Sequence, residues 1–361
     1  MAVLICLSTS WALATNRQPQ DCEYDHVCYK EVQGAICGDG SPTGFSVTYR
    51  KNSPNLFIRL KGGGACWDKA TCSNGSVKHL SAYPQYEGPY YDQRGTDVSG
   101  WLDIRSPHSP IQEGFNIVQV PYCTGDIHTG NKTNNYGTEE EPFIVHHAGY
   151  KNTELIFAEL KKRFPTPDKV ILYGTSAGGL GATWNLHLAK QYYPTSDVYI
   201  VNDGGLLFKP PYVSRDKVLD IYEVWGAEST SPIFRDKDYN IGDVDDLYAA
   251  LVRYNQFRYP DVPYAYVQGY KDLIMTFFCR MLFAPTFTTA VKQTMISIAN
   301  EEFARVNNYK AFYVDDWWHV FFSKDPSTIE SEGVTYSDWA KAMFNQTSSW
   351  DNIRPDLEWD R

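Results

Sequence analysis

Gly174-Thr175-Ser176-Ala177-Gly178 sets a serine between two glycines, directly after the apolar run Val170-Ile171-Leu172-Tyr173 and before a helix-forming stretch. In that setting the GxSxG pattern describes a sharp strand-to-helix turn, which lifts the serine Oγ above a sheet at a helix N-terminus. The chemistry would be attack on an acyl carbonyl. A serine hydroxyl is a poor nucleophile at neutral pH, so an imidazole must take its proton. A Gly/Ser-rich turn without chemistry is the alternative, and the flanking strand and helix argue against it.

Where this turn carries a nucleophile, the chain order is serine, acid, histidine. Of eight histidines only His319 lies beyond the helix that starts at Ser176; His187 sits on that helix and the other six precede the serine. His319 follows the strand-like Ala311-Phe312-Tyr313-Val314, so a loop can carry it to the same sheet edge. Asp272, after Tyr264-Ala265-Tyr266-Val267 with Gly269 permitting a turn, is the expected acid. Asp203, after Val198-Tyr199-Ile200-Val201, is its chief competitor; Asp315 and Asp316 stand too near His319 to orient the ring. The oxyanion formed on attack needs N–H donors, each worth about 3 kcal/mol in the transition state. Ala177, next after the serine, is one; Gly63 and Gly64, in the Gly62-Gly63-Gly64 run after Leu56-Phe57-Ile58-Arg59-Leu60, are the others. The rival reading of those glycines, a dinucleotide fingerprint, lacks GxGxxG and a following helix.

The positioning elements are short β-rich runs alternating with helical stretches: Val145 to Phe164, ending in Lys161-Lys162-Arg163 before Pro165, and Ser176 to about Gln191. Such alternation predicts an α/β fold with a mostly parallel sheet and helices on both faces. No repeat or linker interrupts it, so residues 15–361 are expected to form one domain. Residues 65–114 and 204–260 are too long for plain connections and are expected as excursions over the C-terminal edge, where ligands bind in such sheets.

Before Arg17 the chain has no charged side chain, and Ala12-Leu13-Ala14 follows an apolar start; residues 1–14 therefore read as an export signal. No other stretch approaches the ~20 apolar residues of a membrane span. Removing Cys6 with the leader leaves seven cysteines, which in an exported protein suggests disulfides: Cys66 with Cys72, and the rest among Cys22, Cys28, Cys37 and Cys123, with Cys279 unpaired. Zinc is disfavoured for want of a double CxxC. Asn74, Asn131 and Asn345 open N-glycosylation sequons. With 33 Lys+Arg against 43 Asp+Glu, the formal charge of −10 argues against nucleic acid as a partner. Aromatics make up 15% of residues, for packing or as platforms for sugar rings.

Four segments, from about Cys37 to His319, together resemble the pectin acetylesterase/Notum family of α/β-hydrolase-fold serine esterases. Leu60 to Trp67 with Cys72 is similar to its Gly-Gly-Gly-x-Cys segment, and Tyr122-Cys123-Thr124-Gly125-Asp126 to its Tyr-Cys-x-Gly-Asp/Ser loop. Tyr173 to Gly179 is similar to its nucleophile turn, and Asp203-Gly204-Gly205 to its Asp-x-Gly. Tyr270-Lys271-Asp272 differs from its Tyr-Asp by one residue, and Trp317-Trp318-His319-Val320 lacks the cysteines of plant relatives. The resemblance implies a secreted, monomeric carboxylic ester hydrolase needing no metal or organic cofactor. Tyr122, Asp126 and Asp203 are expected to be substrate-binding or structural. Removal of O-acetyl groups from pectin-like or other polysaccharide is the favoured activity; release of a longer fatty acyl group from protein or lipid is the alternative. An inactive hydrolase scaffold that binds carbohydrate is the reading from another class. Met275 to Phe278 and Met281-Leu282-Phe283 could line an apolar acyl pocket or be plain core, and core is the expectation.

Overall fold

The computed structural model describes residues 22–73, 100–103, 105–112, 114–206, 214–238, 247–282 and 306–355. The expected leader, Asn74 and His79 lie outside them. Ten strands carry the argument: β1 Val27–Ile36, β2 Pro42–Thr48, β3 Asn55–Leu60, β4 Phe115–Val120, β5 Lys132–Asn135, β6 Ile144–His147, β7 Lys169–Thr175, β8 Asp197–Asp203, β9 Tyr264–Gly269 and β10 Tyr309–Val314. Eight form one sheet in the order β1-β2-β4-β3-β7-β8-β9-β10. From β4 to β10 all pairings are parallel, while β1 and β2 add antiparallel at one edge. The architecture is the α/β-hydrolase-like one expected. The antiparallel pair was not anticipated, because β1 is mostly half-buried or exposed and carries no continuous apolar signal.

Period-two alternation divides the core. Val170 and Leu172 of β7 face one layer, with Leu56, Ile58 and Ile200 from its neighbours. Ile171 and Tyr173 face the other, with Phe57, Val201 and Phe312. With both faces covered, β7 is buried along nearly its whole length, which is why it reads as an unbroken apolar run.

The helices are α1 Lys69–Ser73, α2 Gly149–Arg163, α3 Ala177–Trp184, α4 Leu186–Tyr192, α5 Arg215–Trp225, α6 Pro232–Arg235, α7 Leu247–Arg258, α8 Leu273–Leu282 and α9 Tyr336–Phe344. Two sequence expectations need correction. Val145–His147 is not the start of a helix but part of β6, which pairs with Lys132–Asn135; the helix begins at Gly149. The stretch after Ser176 is two helices rather than one, broken at Asn185, whose buried side chain donates to the carbonyls of His128 and Gly181. No helix among the described residues is long and apolar enough to cross a membrane.

Three disulfides are formed: Cys22–Cys28, Cys37–Cys123 and Cys66–Cys72. Cys279 lies in α8, and its side chain is outside the described set. Cys37–Cys123 joins residues 86 apart and ties the end of β4 to the turn after β1, whereas the other two span 6. Cross-linking a long loop removes more unfolded-chain entropy. Replacing Cys37 and Cys123 together by alanine is expected to lower unfolding stability by about 2–4 kcal/mol. The loss is expected to exceed that from replacing Cys22 and Cys28, measured as the unfolding free energy from denaturant titrations with midpoint and m-value both fitted.

Candidate active site

Ser176 occupies the turn between β7 and α3 with φ 56° and ψ −124°, a conformation that L-residues rarely adopt. The flanking glycines make it possible: a Cβ on Gly178 would clash with the Leu60 carbonyl of β3. The Ser176 N–H donates to the Asp203 carbonyl at 2.7 Å, which pins the turn to the end of β8.

The loop after β10 carries His319 back over this turn. Its Nε2 lies 2.7 Å from Ser176 Oγ, and its Nδ1 lies 2.7 Å from Asp272 Oδ2. The carboxylate can only accept, so Nδ1 carries the proton and Nε2 is left to accept from the serine. Asp272 is fully buried, just before α8; it also accepts from the Met275 N–H at 2.8 Å and from Gln268 Nε2. Tyr266 Oη in turn donates to Gln268 Oε1 at 3.1 Å. Gln268 and Tyr266 were not singled out from the sequence. The only available signal was their placement on the strand leading to Asp272.

Asp203, the competing acid, does not touch the imidazole. It is fully buried, and its carboxylate accepts the Phe321 and Phe322 N–H groups at 2.9–3.0 Å and the Tyr173 hydroxyl at 2.7 Å. Burial pushes its carboxyl up to about 6, against the hydrogen bonds that favour the anion. Asp315 instead pairs with Lys271 at 2.8 Å, and Asp316 caps the Trp317 and Trp318 N–H groups.

The glycine run after β3 lies against the nucleophile turn. Gly64 adopts φ +86° and lines the same cleft as Ser176 and Ala177, with Gly63 beside it in the loop. Three contacts fix this loop: Lys61 N–H to the Val120 carbonyl, Cys66 N–H to the Gly125 carbonyl, and Trp225 Nε1–H to the Cys66 carbonyl at 2.7 Å. Burial lowers the pKa of His128, so the ring is neutral and its Nε2–H donates to the Lys61 carbonyl at 2.8 Å.

Tyr122 and Asp126 are buried and spent on the neighbouring turn. Tyr122 Oη accepts from Ile127 N–H, and Asp126 accepts from Thr124 Oγ1 and the N–H groups of His128, Gly130 and Gly149. Neither they nor Asp203 line the cleft. Among the described residues one grouping brings metal-ligating atoms within 4.8 Å of one another, Cys66, Cys72 and His147, and its two sulfurs are bonded to each other.

The cleft in front of Ser176 has a volume of about 100 Å³ and opens to solvent. Its walls are almost wholly apolar, with Trp67, Leu206, Ile221 and Trp225 joined by Met275 and Phe278 of α8. Both long excursions contribute; Met275 belongs to the core and lines the cleft as well, Phe278 lines it, and the side chains of Met281, Leu282 and Phe283 lie outside the described set. Trp317 and Trp318, immediately before His319 in the chain, are each more than half exposed.

A side chain on Gly62 would clash with the Thr175 carbonyl and stand 2.7 Å from Ser176 Cβ. Gly62→Ala is therefore expected to displace the turn, lowering the thermal midpoint and cutting ester hydrolysis at least tenfold, the cost of misplacing reacting groups by a fraction of an ångström. Wild-type turnover in that variant would mean that the loop does not set the turn.

A family model described as pectinacetylesterase matches residues 15–234. Palmitoleoyl-protein carboxylesterase NOTUM of Drosophila melanogaster is 27% identical over 206 residues, covering 52% of this chain and 30% of that protein. Pectin acetylesterase 5 of Arabidopsis thaliana is 27% identical over 207 residues, covering 55% of this chain and 46% of that protein. The matched stretch thus spans less than half of these relatives' own length. A solved structure of the Wnt deacylase Notum from Drosophila superposes with a TM-score of 0.72 at 20% identity, covering 92% of this chain and 97% of that one, so the fold is shared. The segment matched by the family model contains the glycine loop, Tyr122, Asp126, Ser176 and Asp203, and the chain belongs to the pectinacetylesterase family.

Proposed function

We propose that this protein is a carboxylic ester hydrolase in which Ser176 is the nucleophile, His319 the general base and Asp272 the residue that orients the imidazole. The reading is carried by one observation: two 2.7 Å hydrogen bonds run from Ser176 through His319 to a buried carboxylate, at the mouth of an apolar cleft. Ser176 Oγ attacks the ester carbonyl while His319 Nε2 takes its proton. The oxyanion is received by the N–H groups of Gly63, Gly64 and Ala177. Collapse of the tetrahedral intermediate breaks the C–O bond to the leaving group, and His319 returns the proton to that alkoxide. Water then attacks the acyl-enzyme, again giving its proton to His319, and the acid is released.

The cleft favours an apolar acyl group longer than acetyl. Its lining is almost wholly apolar side chain, so each added methylene of an acyl chain meets apolar partners rather than water. Each methylene buried there contributes about 0.8 kcal/mol. The second reading, removal of acetyl groups from polysaccharide, is favoured by the exposed rings of Trp317 and Trp318, which can stack on sugar beside the base. The family membership accommodates both. Export from the cell fits the three disulfides and is part of the proposal.

p-Nitrophenyl acetate, butyrate and octanoate separate the readings. Hydrolysis is expected to vanish in Ser176→Ala, and butyrate is expected to exceed acetate about tenfold in kcat/KM. An acetate optimum would favour deacetylation, and activity that survives Ser176→Ala would remove the serine from the mechanism. Asp272→Asn is expected to lower kcat about 10⁴-fold with little change in KM, because the imidazole would then hold the wrong tautomer.

A further inference from the structure

We propose that Asp203 is a positioning residue that sets the distance between Ser176 and His319 by holding the backbone next to both. This rests on the esterase reading above and adds a second carboxylate to it, one that never meets the substrate. The carbonyl of Asp203 accepts the Ser176 N–H at 2.7 Å. Its carboxylate accepts the N–H groups of Phe321 and Phe322, two and three residues beyond the base. The next residue extends the contact: Gly204, at φ +74°, packs so closely on the base's own backbone that a Cβ would clash with the His319 carbonyl. One dipeptide at the end of β8 therefore touches the nucleophile's turn and the loop that carries the base.

The rest of the loop shows why this anchor matters. On the side before His319 it is held by Asp316, which caps Trp317 and Trp318, and by the bond from Leu273 N–H to the Trp317 carbonyl. On the far side the amides of Phe321 and Phe322 both turn to Asp203. A carboxylate suits the task because it is acceptor-only when ionised and can take several donors at once. An asparagine would keep one acceptor oxygen and turn an NH₂ group toward the same N–H donors. The imidazole nitrogens are engaged by Ser176 and Asp272, so Asp203 acts through the backbone rather than on the ring.

The same geometry makes the anchor sensitive to protonation. The groups facing Asp203 are Tyr173 from β7, Tyr336 of α9 behind it at 3.2 Å, Tyr266 from β9 and His319 from the loop. With its carboxyl raised to about 6 by burial, Asp203 is an anion at neutral pH and takes up a proton as the pH falls through that value. An O–H then faces amide N–H donors, and the loop loosens. Activity is therefore expected to fall around pH 6 more steeply than protonation of the base alone allows.

The test is kcat, KM and their pH dependence between pH 5 and 8 on p-nitrophenyl butyrate. The proteins are wild type, Asp203→Asn, Tyr173→Phe, Asp272→Asn and Ser176→Ala, each checked by thermal midpoint. Asp203→Asn is expected to lower kcat 10- to 100-fold with KM within about twofold, and to lose the excess steepness. Asp272→Asn is expected to keep that steepness on its much smaller kcat. Tyr173→Phe removes a donor that favours the anion, so the acid-side fall is expected to move to higher pH. If Asp203→Asn does not fold, the wild-type and Tyr173→Phe profiles decide: a one-proton acid limb identical in both overturns the proposal. A folded Asp203→Asn with wild-type kcat and profile overturns it as well. Activity surviving Ser176→Ala overturns the Ser176 mechanism and this inference together. Activity lost in Ser176→Ala but untouched in Asp203→Asn overturns the positioning role alone.

Discussion

The hydrogen bond between Ser176 Oγ and His319 Nε2 joins residues 143 positions apart, and nearly every feature around it serves to hold two backbones at that separation. A nucleophile and its base act together only within hydrogen-bond reach, and an error of an ångström costs orders of magnitude. Neither partner lies on a regular element. Ser176 sits on a turn with positive φ and His319 on an irregular loop, so the sheet must supply the rigidity that both lack. Parallel strands β7, β8, β9 and β10 do so in register, delivering Ser176, Asp203, Asp272 and His319 to one edge.

Around the reacting groups, buried polar side chains are spent on loop backbone rather than directed at solvent. Asp126 gathers three N–H groups and a hydroxyl in the turn after β4, and His128 reaches across to the glycine loop. Asp203 does the same for the base loop. Each holds otherwise orphaned backbone donors or acceptors, which would be costly to bury unmet. A buried Asp, His or Tyr in this molecule is thus more often a splint for a loop than a chemical participant. Asp272 differs because it meets an imidazole as well as amides.

The apolar cleft follows from the same construction. The excursions after β3 and β8 bring Trp67, Leu206, Ile221 and Trp225 to the cleft beside Ser176, and α8 adds Met275 and Phe278. Because Asp272 accepts the Met275 N–H at the start of α8, the helix that lines the cleft is tied to the carboxylate that meets His319. Cleft shape and catalytic geometry therefore share a hinge point, and a change in one is felt in the other.

Much of this was legible before any coordinates. An unbroken apolar run, GxSxG, a following helix and a single downstream histidine are local or order-based signals, and they led to Ser176, His319 and the parallel sheet. What could not be read were features made by contacts between distant segments. Asp203 and Asp272 both follow a strand and both end up buried at the same edge; only the path of the loop decides which one meets the imidazole. β1 gave no apolar signal because it pairs at the sheet edge. Val145–His147 looked helical because it runs into a true helix, yet its partner Lys132–Asn135 makes it a strand. Residue types and chain order determined which chemistry was available. Folding decided which of the two candidate carboxylates meets the imidazole, because a hydrogen bond is a matter of tenths of an ångström and sequence spacing is not.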